Sequence, residues 1–306
     1  MRIALIGGTG LIGSACVSAA VAAGHSVTVV SRNRPAGTED VHSWVGADIV
    51  DAAAVRRALA DSKPDAVLHL AAYLQFACEQ NPAEAVRINV DGTLNVLEAC
   101  RELRIPRVVF GGSIASYGER HDLMREDDPP AGATGLYGMT KRLGEMLGAR
   151  YAALHAMTFV SLRYGGVFGP VEVKSAGMAL VRQRIKETAK GKDVLIEGAE
   201  GSERFHLTHV SDAANATLAA LTHPRPAHPI YNVAGPEENY CSLQEMHAAV
   251  RRIVPGAGNA NFSGRGKSAG PVDTSRMRAD LGFTPSVSLE EGLRSDIATL
   301  LGSVSP

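Results

Sequence analysis

Cysteine is scarce and scattered in this chain of 306 residues, and no C-x-x-C pair occurs. Cys16, Cys78, Cys100 and Cys241 therefore suit neither a disulfide framework nor a thiolate metal site, and reduced thiols in a cytoplasm are expected. Net charge is equally lacking, since 31 Lys and Arg face 32 Asp and Glu. Nothing in that balance draws the protein to nucleic acid or to an anionic membrane. Internal repeats and low-complexity tracts are missing, and so is any apolar run long enough to span a bilayer. The opening MRIALIGGTG is a short apolar run broken by glycines, expected as a buried strand rather than a signal peptide. His206 and His209 have no carboxylate partner close in sequence, so no metal site is expected.

What is present is alternation. RIALI, SVTVV, DAVLHL, RVVF and MTFVSLR have the short apolar form of strands, and Trp44 belongs to a further one. Amphipathic segments at 11–23, 51–60, 82–103 and 137–153 lie between them as helices. Parallel strands need helical crossovers, so the pattern predicts an α/β, doubly wound parallel sheet. Past residue 165 loops dominate, as in GGVFGP, EGAEGSE and PGAGNANFSGRGKSAGP. The expected division is a dinucleotide-binding core of residues 1–165 and 205–235, with HPIYNVAG as one more strand. A smaller substrate-binding lobe is expected from 166–204 and 236–306.

Directly after the first strand come Gly7, Gly8, Thr9, Gly10, Leu11, Ile12 and Gly13. Glycines at 7, 10 and 13 permit a tight turn and let backbone amides approach a pyrophosphate at a helix N-terminus. About 20 residues on, an acid usually meets a free adenosine ribose. This chain has Ser31, Arg32, Asn33 and Arg34 there, and no carboxylate before Glu39. A hydroxyl and guanidinium groups accept a 2′-phosphate that a carboxylate would repel. NADP(H) is the expected cofactor, with NAD(H) possible.

Tyr137 and Lys141 stand four apart in a predicted helix, on one face. Ser113 lies just past the carboxyl end of RVVF, in the crevice where open sheets bind ligands. A free tyrosine has a pKa of about 10, too high for an efficient base at neutral pH. Positive charge from Lys141 and from an oxidised nicotinamide would stabilise the phenolate, Lys141 would also hold the nicotinamide ribose, and Ser113 would hold the substrate oxygen.

In GGTGLIG, GADIVD, HLAA, NVDGTLNVLEAC, GGSIASYG, YGMTK, RYGGVFGP, THVSDAANA, YNVAG and DTSRMRADLGFTPSVSLEEGL, nearly end to end, the chain resembles the extended short-chain dehydrogenases/reductases. That family comprises nucleotide-sugar epimerases, dehydratases and related oxidoreductases. The resemblance implies a Rossmann core and catalysis by Ser113, Tyr137 and Lys141. It places Asp48, with Ile49, at the adenine, adds Leu70, Ala71 and Ala72 to the cofactor site, and puts Asn89 near the nicotinamide. It also implies a homodimer through helices 82–103 and 137–153. Substrate contacts are expected from Tyr73, Ser113, Gly166, Arg204 and Arg265. Gly166 stands where many nucleotide-sugar enzymes carry an asparagine, and Phe205 where they carry an arginine, with Arg204 one residue away. The resulting expectation is an NADP(H)-dependent oxidoreductase interconverting a secondary alcohol and a ketone on a sugar or sugar-like substrate. The alternative is a nucleotide-sugar epimerase or dehydratase that recycles its own NAD(P).

Overall fold

In a computed structural model of the chain, which describes residues 1–34, 43–132, 134–170 and 176–302, the apolar runs assemble into one large parallel sheet. Its first six strands are β1 (Arg2–Ile6), β2 (Ser26–Ser31), β3 (Ser43–Gly46), β4 (Ala66–His69), β5 (Arg107–Ser113) and β6 (Thr158–Tyr164). Three short strands follow, β7 (Gly166–Phe168), β8 (Val194–Glu197) and β9 (Arg204–His209), before β10 (Ile230–Val233) rejoins the large sheet. The last two are β11 (Tyr240–Ser242) and β12 (Ala260–Ser263). Strand order across the large sheet is β10-β6-β5-β4-β1-β2-β3. From β1 the chain winds first to β2 and later to β4 on the other side, so a crevice opens at the carboxyl ends of β1 and β4.

The helices are α1 (Leu11–Ala22), α2 (Ala52–Ser62), α3 (Gln75–Gln80), α4 (Pro82–Val86), α5 (Gly92–Glu102), α6 (Leu136–Leu154), α7 (Ala176–Ala189), α8 (Val210–Thr222), α9 (Leu243–Ile253) and α10 (Leu289–Leu301). Successive strand side chains point to opposite faces, so RIALI serves two cores. Ile3 and Leu5 pack with Val17 of α1 and Leu221 of α8. Ala4 and Ile6 pack with Leu59 of α2 and Leu97 of α5. A strand covered on both faces has to be apolar at nearly every position, which is why these strands are unbroken hydrophobic runs.

Residues 82–102 form one continuous helical run, as periodicity predicts for 82–103, with a π turn inside it. They form α4, a π-helical turn at Arg87–Asp91, and α5. The wider turn carries Asn89, buried with its amide fully engaged. A third core, with Ile185, Val250, Leu293 and Ile297, unites α7, α9 and α10. The strands β11-β9-β7 form a small sheet, and β12 pairs with β8. The expected boundary at residue 205 falls inside β9. Among the described residues, no helix is long and apolar enough to cross a membrane.

Helix α6 lies close on β5 and β6 because two of its residues lack side chains. A Cβ at Gly144 would stand 2.6 Å from the Phe110 ring, and one at Gly148 only 2.0 Å from the Phe159 ring. Replacing a helical glycine by alanine gains about 0.5–1 kcal/mol, whereas overpacking a core costs about 1–3 kcal/mol. Gly148→Ala should therefore be net destabilising, with a lower denaturant midpoint. An unchanged or raised midpoint would show that α6 does not need this close approach.

Candidate active site

A cavity of about 560 Å³ occupies the crevice. It gathers Gly7, Gly10, Leu11, Ile12 and Gly13, then Ser31, Arg32 and Arg34, and also Asp48 and Ile49. Leu70, Ala71, Ala72 and Tyr73 line it as well, together with Ser113, Tyr137 and Lys141. Most of these residues follow the carboxyl ends of β1, β2, β4 and β5, which meet because those strands are parallel neighbours, and α6 brings Tyr137 and Lys141 to the same place.

The glycine turn fits a dinucleotide pyrophosphate. Gly7 has φ 91°, and a Cβ at Gly13 would stand 2.4 Å from the Gly7 carbonyl oxygen, so neither position accepts a side chain as the turn stands. Gly10 caps α1 with no side-chain acceptor for the first-turn amides, and no acidic residue occupies that turn. The Leu11, Ile12 and Gly13 segment thus offers backbone donors and the positive end of the helix dipole to the cavity. Asp48 accepts the Val50 amide at 3.2 Å, which holds its carboxylate at the cavity wall.

The segment after β2 divides its work. The Ser31 hydroxyl donates to the Asn33 carbonyl at 2.7 Å and accepts from the Trp44 indole at 3.0 Å. Its proton is therefore committed, and it shapes the loop rather than offering a donor to a phosphate. Among the described residues, no hydrogen bond or ion pair occupies Arg32 or Arg34, and both are exposed. Glu39 lies outside the described residues.

Tyr137 and Lys141 project from α6. The Lys141 ammonium lies 5.7 Å from the centre of the Tyr137 ring and donates to the Gly111 carbonyl at 2.7 Å. Burial pushes the Tyr137 phenol up to about 12, and Ser113 pulls against that shift. Burial also pulls Lys141 down to about 8, against the Glu145 carboxylate, which raises it. In the protein alone the phenol keeps its proton at neutral pH, and lowering its pKa needs a further positive charge.

Four expected contacts sit elsewhere. Asn89 is behind the cavity wall: it accepts the Tyr73 amide at 2.6 Å and donates to the Tyr73 carbonyl and to Thr140 Oγ1, each at 3.0 Å. It braces Tyr73 against α6 and does not itself line the cavity. Arg204 is outside the cavity too, donating to the Tyr240 carbonyl at 2.6 Å, paired with Glu245 at 3.1 Å and lying over the Tyr240 ring. Arg265 is 92% exposed and 3.7 Å from Glu200. Gly166 starts β7 and packs toward Leu207, while its neighbours Gly165 and Val167 reach the cavity. His206 is a structural hinge pin. Its Nδ1 accepts the Val272 amide at 3.0 Å, so Nε2 carries the proton toward the Gly235 and Pro236 carbonyls. The sequence reasoning missed Glu145 and Arg163, a fully buried ion pair next to Lys141. Its signal was available: an arginine inside an otherwise apolar strand requires a buried partner.

A model of the NAD dependent epimerase/dehydratase family matches residues 3–234. The chain is 28% identical over 313 residues to the UDP-glucose 4-epimerase of Mycolicibacterium smegmatis, covering 97% of each. It is 30% identical over 230 residues to a 3-diazoavenalumate denitrifying reductase of a Streptomyces species, covering 72% of each. Among solved structures it is similar to MoeE5 in complex with UDP-glucose and NAD, at TM-score 0.87 and 26% identity over the whole of both chains.

The roles of the three side chains separate experimentally. Tyr137→Phe should keep the fold and dinucleotide affinity but lower kcat about 10²–10⁴-fold, the usual worth of general acid/base catalysis. Ser113→Ala should likewise spare affinity, whereas Lys141→Met should weaken dinucleotide binding as well as turnover. Calorimetric titration and steady-state kinetics check this, and a Tyr137→Phe enzyme within about threefold of the parent in kcat would overturn the assignment.

Proposed function

The chain belongs to the NAD dependent epimerase/dehydratase family, and on that premise we propose that it is a nucleotide-sugar epimerase or dehydratase whose nicotinamide cofactor is recycled within each turnover. The observation that carries this reading is the grouping of Ser113, Tyr137 and Lys141 with the glycine turn in one cavity. The UDP-sugar enzymes among its relatives support the substrate class, and this favours the recycling alternative over net oxidation or reduction.

When bound, the dinucleotide supplies the hydride acceptor and donor, and its oxidised ring supplies positive charge close to Tyr137. Ser113 orients the sugar oxygen. Tyr137 takes the hydroxyl proton as the carbon is oxidised to a ketone, and returns it when the ketone is reduced. No proton or hydride is consumed over the cycle. Lys141 holds the ribose and adds its charge, at neutral pH mostly protonated because its pKa is about 8.

A second reading, an NADPH-dependent reductase of a sugar-like substrate, is favoured by one observation: Arg32 and Arg34 line the cavity wall, and among the described residues neither guanidinium has an ion pair. Incubation with UDP-glucose or UDP-glucuronic acid separates the two. Isomer or dehydrated product with no change in absorbance of the reduced cofactor supports recycling. Stoichiometric NADPH oxidation supports the second reading and overturns the first. In either case NADPH should bind more tightly than NADH, and Arg32→Ala or Arg34→Ala should narrow the gap by at most about 1.5–3 kcal/mol. Equal affinities in the parent would remove the 2′-phosphate assignment.

The chain is also proposed to pair with a second copy through α5 and α6. Met139, Leu143 and Met146 are exposed along one face of α6, with Val86 and Leu94 exposed on the neighbouring helices. Burying such a face against a second copy is how four-helix dimer interfaces form. Light scattering should give about twice 32.1 kDa, and Met146→Glu should shift the mass toward the monomer. A monomer at micromolar concentration in the parent would refute the pairing.

A further inference from the structure

Arg163 lies inside β6 with no solvent exposure, and the chemistry above makes no use of it. Its Nε and Nη2 donate to the two oxygens of Glu145 at 2.8 and 2.7 Å. Ser161 Oγ adds a bond to the same carboxylate at 3.1 Å. Nη1 donates to the Glu126 carbonyl at 3.2 Å, and the guanidinium stands 4.5 Å from the centre of the Tyr117 ring. The Glu145 carboxylate more than offsets the burial of this cation, so Arg163 stays charged.

The two partners stand on the two segments that carry the site's polar side chains. Glu145 is one helical turn past Lys141, on the same face of α6. Tyr117 follows Ser113 by four residues, at the end of the short turn Ile114–Tyr117. Between them the backbone is pressed close: a Cβ at Gly112 would stand 2.5 Å from Ser161 Oγ and 3.0 Å from Glu145 Oε1. The ion pair therefore joins the strand end that carries Ser113 to the helix that carries Tyr137 and Lys141.

We propose that Glu145 and Arg163 are positioning residues of this active site: the pair holds the Ser113 strand end in register with the catalytic helix, and the Glu145 carboxylate is the counter-charge that Lys141 faces from inside the protein. The titratable groups facing Lys141 are His69 from β4, Cys78 from α3, and Tyr137 and Glu145 from its own helix, with Arg163 of β6 behind Glu145. Burial drives His69 down to about 3 and raises the Cys78 thiol and the Tyr137 phenol, so all three are neutral near pH 7. Among these groups Glu145 alone opposes the Lys141 charge there.

The inference rests on the active-site reading of the cavity, but its test uses cofactor binding alone, so failure of the proposed sugar substrate would leave it standing. NADPH affinity is measured by calorimetry at a series of pH values from about 6.5 to 9.5, a range that brackets the Lys141 transition. Lys141 is charged below about 8 and neutral above it, so affinity in the parent should fall through that pH, and Lys141→Met should abolish the step. Glu145→Gln removes the group that raises Lys141, and the midpoint should move toward neutral by about one unit. That variant strands a buried guanidinium, so Glu145→Gln/Arg163→Met, which leaves no buried charge, is measured beside it. The double variant should fold, and its midpoint should move in the same direction by less. A midpoint within about 0.2 unit of the parent in both variants would overturn the proposal, because a purely structural pair would change thermal stability alone. Failure of both to fold would also overturn it, by making the pair a requirement of the fold rather than of the site.

Discussion

A guanidinium without solvent has to be neutralised where it stands, because an unpaired buried charge costs several kcal/mol. Around Arg163 this demand organises segments far apart in sequence. Glu145 comes from α6, Ser161 from the same strand two residues earlier, and the Glu126 carbonyl from the loop after Ser113. Tyr117, stacked on the guanidinium, donates to Asn232 Oδ1 at 2.7 Å. Asn232, on β10, donates its backbone amide to Glu126 Oε1 at 2.9 Å and its side-chain amide to the Met124 and Asp273 carbonyls at 3.1 Å. Arg276 then faces the Glu126 and Asp127 carboxylates. One buried cation thereby ties the catalytic helix, two sheet strands and the chain beyond residue 270 into a single polar layer.

Desolvation also sets the chemistry, with opposite signs on two neighbours. It raises the Tyr137 phenol and lowers the Lys141 ammonium, so burial works against both the base and its helper. The arrangement is productive only if charge arrives from outside these two groups. The Glu145 carboxylate supports the ammonium from the protein side, and an oxidised nicotinamide, when bound, would support the phenolate from the cavity side. The glycine turn follows the same logic at the other substituents of the cofactor. Uncapped amides at the start of α1 suit an anion at that end of the helix.

The large sheet was legible in the sequence, as was much of the cavity lining. RIALI, RVVF and MTFVSLR are buried on both faces and so carry their own signature, and a glycine turn announces itself by what it excludes. Tyr137 and Lys141 needed only the pitch of a helix to be placed together. The stretch at 82–103 is one helical run, as its periodicity suggests, but its π turn answers to Asn89's partners at Tyr73 and Thr140, which periodicity does not see. Ser31 was taken for a phosphate donor because its hydroxyl is held by the Asn33 carbonyl two residues on and by the Trp44 indole of the neighbouring strand, which the sequence does not show.

The sequence by itself determined the strands and helices of the large sheet, the glycine turn and the spacing of Ser113, Tyr137 and Lys141. Each depends on neighbours within a turn or a strand, where backbone geometry leaves little choice. Only the tertiary structure decided which charged groups meet which. Arg32 and Arg34 line the cavity with no ion pair among the described residues, Arg204 is drawn off by Tyr240 and Glu245, and Arg163 finds Glu145 across the space between β6 and α6. A long charged side chain can satisfy itself with any partner in reach, and the partners in reach are set by how sheets and helices pack, not by the order of residues along the chain.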